Sequence, residues 1–408
     1  MTRDAPHAPR RPRVRRALSQ PTTPVQARGD ATLAPMLNAA LRAGTGEPDR
    51  FTHGFHSYPA RMHPDIARAL LHSLAKPGTR VLDPFCGSGT VLVEAMVAGH
   101  LATGVDLNPL AIRIAREHCA LRSPEARVRF EAALAAVTDA SLVRVQERQR
   151  VRAALSPRER EFYEPHVLLE LAGLFEEIQR VRPDTDRRAL EIVFSALLVK
   201  FSRQQADTSE RLTEKRIRKG LVSEFFQRKG HELSERWAAL WEASPVRARP
   251  PTLHTGDARA LPKLLAREAP FDLVISSPPY GGTYDYHAHH ARRYPWLGLD
   301  AQALERNEIG ARRRLGYGRA ARGTWEGEVA AYLRSIALVC RRDARVALLC
   351  GDAEVGGVHV DAAEQLARLA SAAGFDPLAT ASHLRRDPRA ERRDAPARRE
   401  HLVLLKRR

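Results

Sequence analysis

Short apolar runs alternate with helix-like stretches from residue 79 onward. The segment "TRVLDPF" (79–85) predicts a buried strand, and "GTVLVEAMVAG" (89–99) predicts a helix that ends at Gly99. A second strand, "LATGVDLN" (101–108), precedes a second helix with Pro109 in its first turn. This alternation of strands and helices is typical of a parallel sheet.

Five further apolar runs predict the rest of the sheet. They are "TLHTGDA" (252–258), "FDLVISS" (271–277), "ARVALLCGD" (344–352), "DPLATASHL" (376–384) and "EHLVLLKR" (400–407). A charged loop separates the last two runs, which can pair as an antiparallel hairpin. We therefore predict an α/β fold built on a seven-stranded, mostly parallel sheet with an antiparallel C-terminal hairpin.

The strand pattern stops between residues 123 and 248. Apolar residues there recur at helical spacing, and the run "ALEIVFSALLVKF" is apolar almost all round. We predict a helical insertion over 123–248, flanked by two halves of one domain at 46–122 and 249–408. Residues 1–45 contain the stretch "APHAPRRPRVRRALSQPTTP" and show no periodicity, which predicts a disordered basic arm.

Arginine dominates the charge of the chain. The formal net charge is +18 and the isoelectric point is about 10.5, which favours a nucleic-acid partner, although an Arg- and Ala-rich composition alone explains part of it. The four cysteines form no CxxC pair, which is usual in a reducing compartment. No run approaches the roughly 20 apolar residues of a membrane span, and no signal peptide is evident, so we expect a cytoplasmic, nucleoid-associated protein.

A glycine-rich turn, "DPFCGSGT" (83–90), joins the first predicted strand to its helix. Leu92 stands where a dinucleotide fingerprint has its third glycine, and no P-loop lysine follows, so neither a pyrophosphate nor a triphosphate is the natural ligand. Asp106 ends the next strand, where a carboxylate can accept both ribose hydroxyls. A nucleoside without a polyphosphate fits this pattern, and S-adenosylmethionine is the common cofactor of that description.

Four motifs together resemble those of the amino-directed DNA methyltransferases. "DPFCGSGT" and "GVDLNP" are similar to the first two motifs of that family, "SSPPY" to its catalytic motif, and "HSYPARMHP" (56–64) to its N-terminal motif. The resemblance implies a Rossmann-like methyltransferase sheet in which Asp106 binds the ribose and Asp257 lies near the adenine. It also implies a cofactor loop around the methionine moiety, formed by Asp83, Pro84, Phe85, Gly87, Gly89 and Thr90.

The double proline of "SSPPY" follows a buried strand and precedes an aromatic residue. Methylation of an exocyclic amine requires acceptors that hold the amino protons and turn the nitrogen lone pair toward the methyl group. Proline lacks an N–H and fixes φ, so Pro278 and Pro279 can direct carbonyl groups toward the target amine, beside Ser277 Oγ. Tyr280 can stack on a base taken out of a duplex, although the alternative is that Pro-Pro only stops the strand and Tyr280 packs in the core.

We accordingly expect an S-adenosylmethionine-dependent methyltransferase that acts on an exocyclic amino group of a DNA base, with cytosine N4 slightly ahead of adenine N6. The alternatives are an RNA enzyme resembling the tRNA guanine-N2 methyltransferases, and a non-catalytic nucleic-acid-binding protein on the same fold. Cytosine carbon-5 chemistry would need a Pro-Cys pair, and the chain has none. No metal is expected, although His287, His289 and His290 stand close together.

Two basic segments are candidates for target recognition: residues 200–220 of the insertion, and the loop at 308–325. Either segment could contact phosphates or be merely solvated. The target sequence, the oligomeric state and the presence of a partner nuclease in a restriction-modification pair stay open.

Overall fold

An eight-stranded sheet forms the centre of the protein. The computed structural model describes residues 23–149, 151–209, 211–315, 318–385 and 398–408. The strands are Gln26–Gly29 (β1), Arg80–Asp83 (β2), Leu101–Asp106 (β3), Thr252–Thr255 (β4), Phe271–Ser276 (β5), Cys340–Gly351 (β6), Ala353–Val355 (β7), Val358–Val360 (β8), Phe375–Leu384 (β9) and Arg399–Arg407 (β10). Strands β7 and β8 pair as a separate hairpin.

The described helices flank the sheet and fill its long insertion. They are Leu33–Arg42 (α1), Pro64–Leu74 (α2), Thr90–Val97 (α3), Pro109–His118 (α4), Pro124–Gln146 (α5), Pro157–Arg160 (α6), Pro165–Arg180 (α7), Asp184–Phe201 (α8), Leu221–Ala243 (α9), Leu261–Leu264 (α10), Tyr286–His290 (α11), Gln302–Asn307 (α12), Arg319–Val339 (α13) and Ala362–Ala372 (α14), with a 3₁₀ turn at Ala258–Ala260. Within the described residues, no helix is long and apolar enough to cross a bilayer.

The strand order is β1-β9-β10-β6-β5-β2-β3-β4. Strands β4, β3, β2, β5 and β6 pair in parallel, whereas β10 runs antiparallel to both β6 and β9. The chain fills one half of the sheet from β2 to β4 and then crosses to β5, so the order reverses between β2 and β5. The structure confirms the predicted Rossmann-like methyltransferase fold with its antiparallel C-terminal hairpin, and β1 adds an eighth strand.

Alternating apolar side chains explain why the central strands form and where helices cover them. Val81 and Leu273 face one side of the sheet and pack with residues of α1, α2 and α3. Leu82 and Val274 face the other side and pack with α13 and α14. Both faces are therefore buried, which is why the strands read as nearly continuous apolar runs.

The prediction of a disordered arm over 1–45 is wrong for the part that the structure describes. Strand β1 pairs antiparallel with the edge strand β9, from Gln26 opposite Ser382 to Gly29 opposite Ala379. Helix α1 then buries Leu37 and other apolar residues against the face of the sheet that carries Val81 and Leu273. Residues 1–22 of the predicted arm lie outside the described residues.

Helices α5 to α9 occupy the interval that was predicted to be a helical insertion. They bury a core of their own and dock on the segment that precedes β2 and on α4. Two buried contacts make the connection. The indole Nε1–H of Trp237 donates to the Glu117 carbonyl at 2.8 Å, and His56 Nε2 lies 3.0 Å from Ser195 Oγ.

Candidate cofactor and active site

A single pocket opens at the carboxyl ends of β2, β3 and β5, beside the point where the strand order reverses. Ligands of open α/β sheets bind at this place. The pocket brings together four segments that are distant in sequence: the 58–62 segment, the glycine loop, the end of β3 and the start of "SPPY". Of the predicted site residues, the pocket is lined by Asp83, Pro84, Phe85, Gly87, Thr90, Asp106, Asp257, Ser277 and Pro279.

The glycine loop is shaped by two residues with positive φ. Gly87 has φ +50°, and a Cβ there would lie 2.9 Å from Cε1 of Tyr58, so a side chain would close the pocket wall. Gly89 has φ +88° and precedes α3. Its missing Cβ faces Ala115 rather than the pocket, so the structure gives Gly89 a role in the turn and in helix packing.

Asp106 ties the glycine loop to the end of β3. Its Oδ2 accepts a 2.8 Å hydrogen bond from the Gly87 N–H, and its Oδ1 accepts one of the same length from the Asn108 N–H. Each oxygen keeps a second lone pair for a ligand in the pocket. Burial raises the pKa of Asp106 to about 6, and the two backbone hydrogen bonds oppose that shift.

Asp83 is a second carboxylate behind the loop. It is 3% exposed, and its Oδ1 accepts hydrogen bonds from Ser276 Oγ at 2.6 Å and from the Phe85 N–H at 3.2 Å. Burial raises the pKa of Asp83 to about 7, although these two hydrogen bonds favour its ionised form. The two adjacent serines therefore have different contacts: Ser276 hydrogen-bonds Asp83, whereas Ser277 lines the pocket.

Asp257 lies at the far end of the pocket and is held by Arg259. The guanidinium contacts both carboxylate oxygens, with a shortest distance of 2.6 Å, and Asp257 Oδ1 also accepts from the Arg259 N–H. Arg259 extends to the Asn307 carbonyl at 2.9 Å, which connects this end of the pocket to α12.

The "SPPY" corner is only partly in the pocket. Ser277 and Pro279 line it, while Pro278 is buried behind them. Tyr280 is 6% exposed and turns away, so that its hydroxyl donates to Glu400 Oε1 at 3.0 Å. Burial raises the pKa of Tyr280 well above its ordinary value, and an interaction with the Ser277 side chain opposes that shift, so the predicted acceptor stays next to the phenol. The stacking role of Tyr280 stays a prediction.

An aromatic wall faces the glycine loop across the pocket. Tyr58 stacks on Tyr286 with ring centroids 6.1 Å apart, and on His290 at 5.0 Å. The buried Glu308 accepts hydrogen bonds from the Tyr286 and His287 N–H groups, which fixes the start of α11. Sequence reasoning missed Leu304, Glu308 and Ile309 as pocket residues, because no periodicity or motif marks them.

Two arginines of the 308–325 loop, Arg313 and Arg314, have side-chain partners within the chain. Arg313 donates to Glu308 Oε2 at 2.7 Å, and Arg314 donates to Glu328 Oε1 at 3.2 Å. Arg314 therefore holds the pocket wall to α13, whereas Arg313 braces Glu308 within the wall. The role of this loop in target recognition stays a prediction.

The histidines after "SPPY" lie on the short helix α11. His290 stacks on Tyr58, and His287 stacks on Tyr294 at 5.5 Å. Among the described residues, the group that best resembles a metal site is elsewhere, at Asp352, Asp361 and His401. Both Asp352 oxygens already accept hydrogen bonds there, from the backbone and from His401.

Comparison with known proteins identifies a methyltransferase domain in the first half of the chain. Residues 55–145 match the family model described as UPF0020: RMKL-like, methyltransferase domain. The chain is 44% identical over 63 residues to the type II methyltransferase M.MvaI of Kocuria varians, covering 15% of this chain and 14% of that protein. It is 40% identical over 62 residues to the tRNA (guanine(10)-N2)-dimethyltransferase of Methanothermobacter thermautotrophicus, covering 15% of this chain and 18% of that protein. The chain thus spans less than a fifth of each relative.

Solved structures show similarity at low identity. TrmN from Thermus thermophilus is 15% identical, with 85% of this chain and 49% of that chain covered, and a TM-score of 0.33. The rRNA methyltransferase aviRa from Streptomyces viridochromogenes is 16% identical, with 86% and 88% covered, and a TM-score of 0.34. TM-scores this low do not support a fold assignment, so the fold is assigned from the strand order of this protein.

The strand order, the pocket and the family match define a Rossmann-like methyltransferase domain, and they indicate S-adenosylmethionine as its cofactor. The pocket residues fit that molecule. Asp106 offers free lone pairs to a ribose, Gly87 leaves room for close backbone approach, and the partly apolar wall from Tyr58 to Met62 can cover the methionine chain.

Proposed function

We propose that this protein is an S-adenosylmethionine-dependent methyltransferase that modifies an exocyclic amino group of a base in DNA, with cytosine N4 ahead of adenine N6. One observation carries the proposal. Asp106, the nucleoside-binding carboxylate, and Ser277 with Pro279, the amine-holding corner, line the same pocket although they come from separate parts of the chain. The serine form of the motif resembles the cytosine-N4 enzymes more than the adenine-N6 enzymes.

The proposed roles follow from the positions of these groups. When bound, S-adenosylmethionine supplies an electrophilic methyl group. Asp106 and the glycine loop hold the nucleoside end of the cofactor, and Asp257 faces the base. Ser277 Oγ and the Pro278 carbonyl accept the two amino hydrogens of the target, so that the nitrogen lone pair is turned toward the methyl carbon.

The proposed transfer requires no covalent intermediate with the enzyme. Cys86 is the thiol nearest to this chemistry because it lies in the cofactor loop and lines the pocket. Burial raises the pKa of Cys86 well above its ordinary value, so the thiol stays protonated and is a poor nucleophile. Its Sγ would lie 3.1 Å from a Cβ at Gly104, which is consistent with a packing role.

A nucleic-acid partner is supported by a group of cations around Phe225, which we call the Phe225 cluster: Lys200, Lys215 and Arg228. Lys200 Nζ lies 3.6 Å from the centroid of the Phe225 ring, and Arg228 Cζ lies 4.2 Å from it. Lys215 Nζ donates to the carbonyls of Lys200 and Gln204. In the described part of the chain, none of the three cations forms an ion pair with a carboxylate.

Crowding of like charges in this cluster favours an anionic ligand. Burial lowers the pKa of Lys200, and the nearby charges of Arg228, Lys229 and Lys215 lower it further. Phosphate groups would relieve that repulsion.

The Phe225 cluster lies on the side of the insertion that contacts the cofactor pocket. Lys229, next to Arg228, donates to the Phe55 carbonyl at 2.9 Å, and Phe55 belongs to the segment whose Tyr58 lines the pocket. This arrangement supports the proposal that the insertion contributes to target recognition.

RNA is the second candidate substrate, because one similar protein is a tRNA (guanine(10)-N2)-dimethyltransferase. The two candidates differ in the modified nucleoside. The purified protein should be incubated with tritiated S-adenosylmethionine and separate pools of genomic DNA and total RNA, and the labelled nucleoside should be identified by chromatography. Label in N4-methyl-2′-deoxycytidine from DNA is expected. Label confined to RNA would replace the DNA proposal, and no label in either pool would refute the enzymatic one.

A further inference from the structure

Tyr280 is anchored by a buried carboxylate at the start of β10. Its hydroxyl donates to Glu400 Oε1 at 3.0 Å, and the exposed fractions are 6% for Tyr280 and 1% for Glu400. The two residues are 120 positions apart in sequence. A buried tyrosine hydroxyl needs a partner, and a hydrogen bond to a carboxylate is stronger than one between neutral groups.

The ring of Tyr280 is enclosed by the ends of three neighbouring strands. A Cβ at Gly351, where β6 ends, would lie 2.7 Å from Cε2 of Tyr280, so only glycine admits the ring in this position. The guanidinium of Arg385, just after β9, lies 5.8 Å from the ring centroid. Glu400 completes the enclosure from β10.

Glu400 also faces a histidine. Its second oxygen, Oε2, lies 3.4 Å from Nε2 of His383, which is 0% exposed on its side chain. Neither atom forms a hydrogen bond within the described residues. His383 Nδ1 donates to the Leu384 carbonyl, so Nε2 can donate to Glu400 only when the ring carries both protons. Among the described residues, the carboxylate is therefore held by the Tyr280 phenol, and the His383 imidazole lies beside it without a hydrogen bond.

The anchor matters because the link from Tyr280 to the pocket is short and stiff. Ser277 lies three residues earlier, and both intervening residues are prolines whose φ is fixed. Ser277 and Pro279 line the pocket while Tyr280 leaves it. A shift of the Tyr280 ring would thus be passed to Ser277 Oγ and to the Pro278 carbonyl.

We propose that Glu400 is a positioning residue, which holds the Tyr280 hydroxyl and thereby sets the direction of the amine acceptors Ser277 and Pro278. Glu400 itself need not touch cofactor or target base. This inference rests on the proposed methyl transfer, and it adds to that reaction a residue from the C-terminal hairpin that no motif marks.

The test compares Glu400→Gln, Glu400→Met, Tyr280→Phe and the double variant Tyr280→Phe/Glu400→Met. Glutamine keeps an oxygen that can accept from Tyr280, whereas methionine has a similar size and no such acceptor. Single-turnover transfer at saturating cofactor should fall about 10-fold to 100-fold in Glu400→Met and in Tyr280→Phe, because a misplacement of the acceptors on the order of 1 Å can cost that much. Glu400→Gln should stay within about threefold of wild type. KM for the nucleic acid and the cofactor Kd should change little.

The double variant should be no slower than the slower single variant, because one contact is lost in all three. Glu191→Gln is the matched control: Glu191 is another buried carboxylate, on α8, and this variant should keep the wild-type rate. If Glu400→Met does not fold, Gly351→Ala displaces the ring with both partners intact, and it should lower kcat with unchanged cofactor Kd.

Wild-type transfer rates in Glu400→Met, or multiplicative losses in the double variant, would overturn the positioning role alone. A wild-type protein that transfers no methyl group to DNA or RNA would overturn the proposed function and this inference with it. The melting temperatures of the same four variants would then still report whether Tyr280 and Glu400 are coupled.

Discussion

The N–H of Gly87 donates a hydrogen bond to Asp106 Oδ2 at 2.8 Å, so the carboxylate at the end of β3 holds the glycine loop as well as facing the pocket. Asp106→Ala removes both functions. We expect the cofactor Kd to rise at least about 100-fold, since two hydrogen bonds to a charged acceptor are lost at roughly 1.5 to 3 kcal/mol each. Titration calorimetry measures this directly. Asp139→Ala, an exposed carboxylate on α5, is the control, and equal affinity in both variants would remove Asp106 from the ribose.

Asp83 should make stability depend on pH in a defined direction. Burial raises the pKa of Asp83 from near 3.8 to about 7, so the folded state binds this proton more tightly than the unfolded state does. The contribution of Asp83 to the free energy of unfolding therefore falls as the pH rises from about 4 to about 7.

Asp83→Asn cannot ionise, and its stability relative to wild type should improve over that range by up to about 1.4 kcal/mol per pH unit. Urea unfolding of both proteins without cofactor at pH 5 and pH 7 measures the difference, and groups common to both proteins cancel. A difference that is the same at the two pH values would show that Asp83 is ionised throughout.

Substitution of the two adjacent serines should affect different quantities, which are the turnover rate for Ser277 and the cofactor affinity for Ser276. Ser277 lines the pocket, so Ser277→Ala should lower kcat about 10-fold to 100-fold while the cofactor Kd stays within twofold, as expected for a lost acceptor at the reacting group. Ser276 instead hydrogen-bonds Asp83, so Ser276→Ala should act mainly on cofactor affinity. Equilibrium binding and single-turnover rates separate the two effects. The assignment of Ser277 fails if both variants show the same pattern.

Removal of the Phe225 cluster should weaken nucleic-acid binding in a salt-dependent way. Lys200→Ala/Arg228→Ala should reduce affinity for duplex DNA and lower the slope of log K against log salt by about 1 to 2, because each lost phosphate contact releases about one counterion fewer. Fluorescence anisotropy at four salt concentrations measures the slope. Arg180→Ala/Arg368→Ala removes two arginines that are paired with glutamates, and it should leave the slope nearly unchanged. Equal slopes in the two double variants would place the phosphate contacts elsewhere.

The sequence predicted the strands that carry the pocket because burial on both faces gives them continuous apolar runs. A search for apolar runs could not find β1, because its segment "QARG" is exposed throughout and pairs with β9 through its backbone. It also failed for α1, because a proline near the start of a short, Ala-rich helix resembles a disordered segment.

Local motifs predicted that the glycine loop and Asp106 would lie at one pocket, but they gave no sign of the opposite wall. Glu308 and Ile309 reach the pocket through tertiary packing against α13, and neither has a sequence signature. The contact between Tyr280 and Glu400 depends on the sheet order, which places β10 next to β6. Pairings of that kind cannot be read from spacing along the chain.

The buried contact between His56 and Ser195 joins the helical insertion to the segment that walls the cofactor pocket. Lys229 strengthens the same contact through the Phe55 carbonyl, and Trp237 joins the insertion to α4 through the Glu117 carbonyl. The insertion is therefore not an interchangeable module. A chimera that receives the helices of another enzyme, in order to redirect specificity, would also have to receive a matching 53–58 segment, or it would lose cofactor affinity along with its old target.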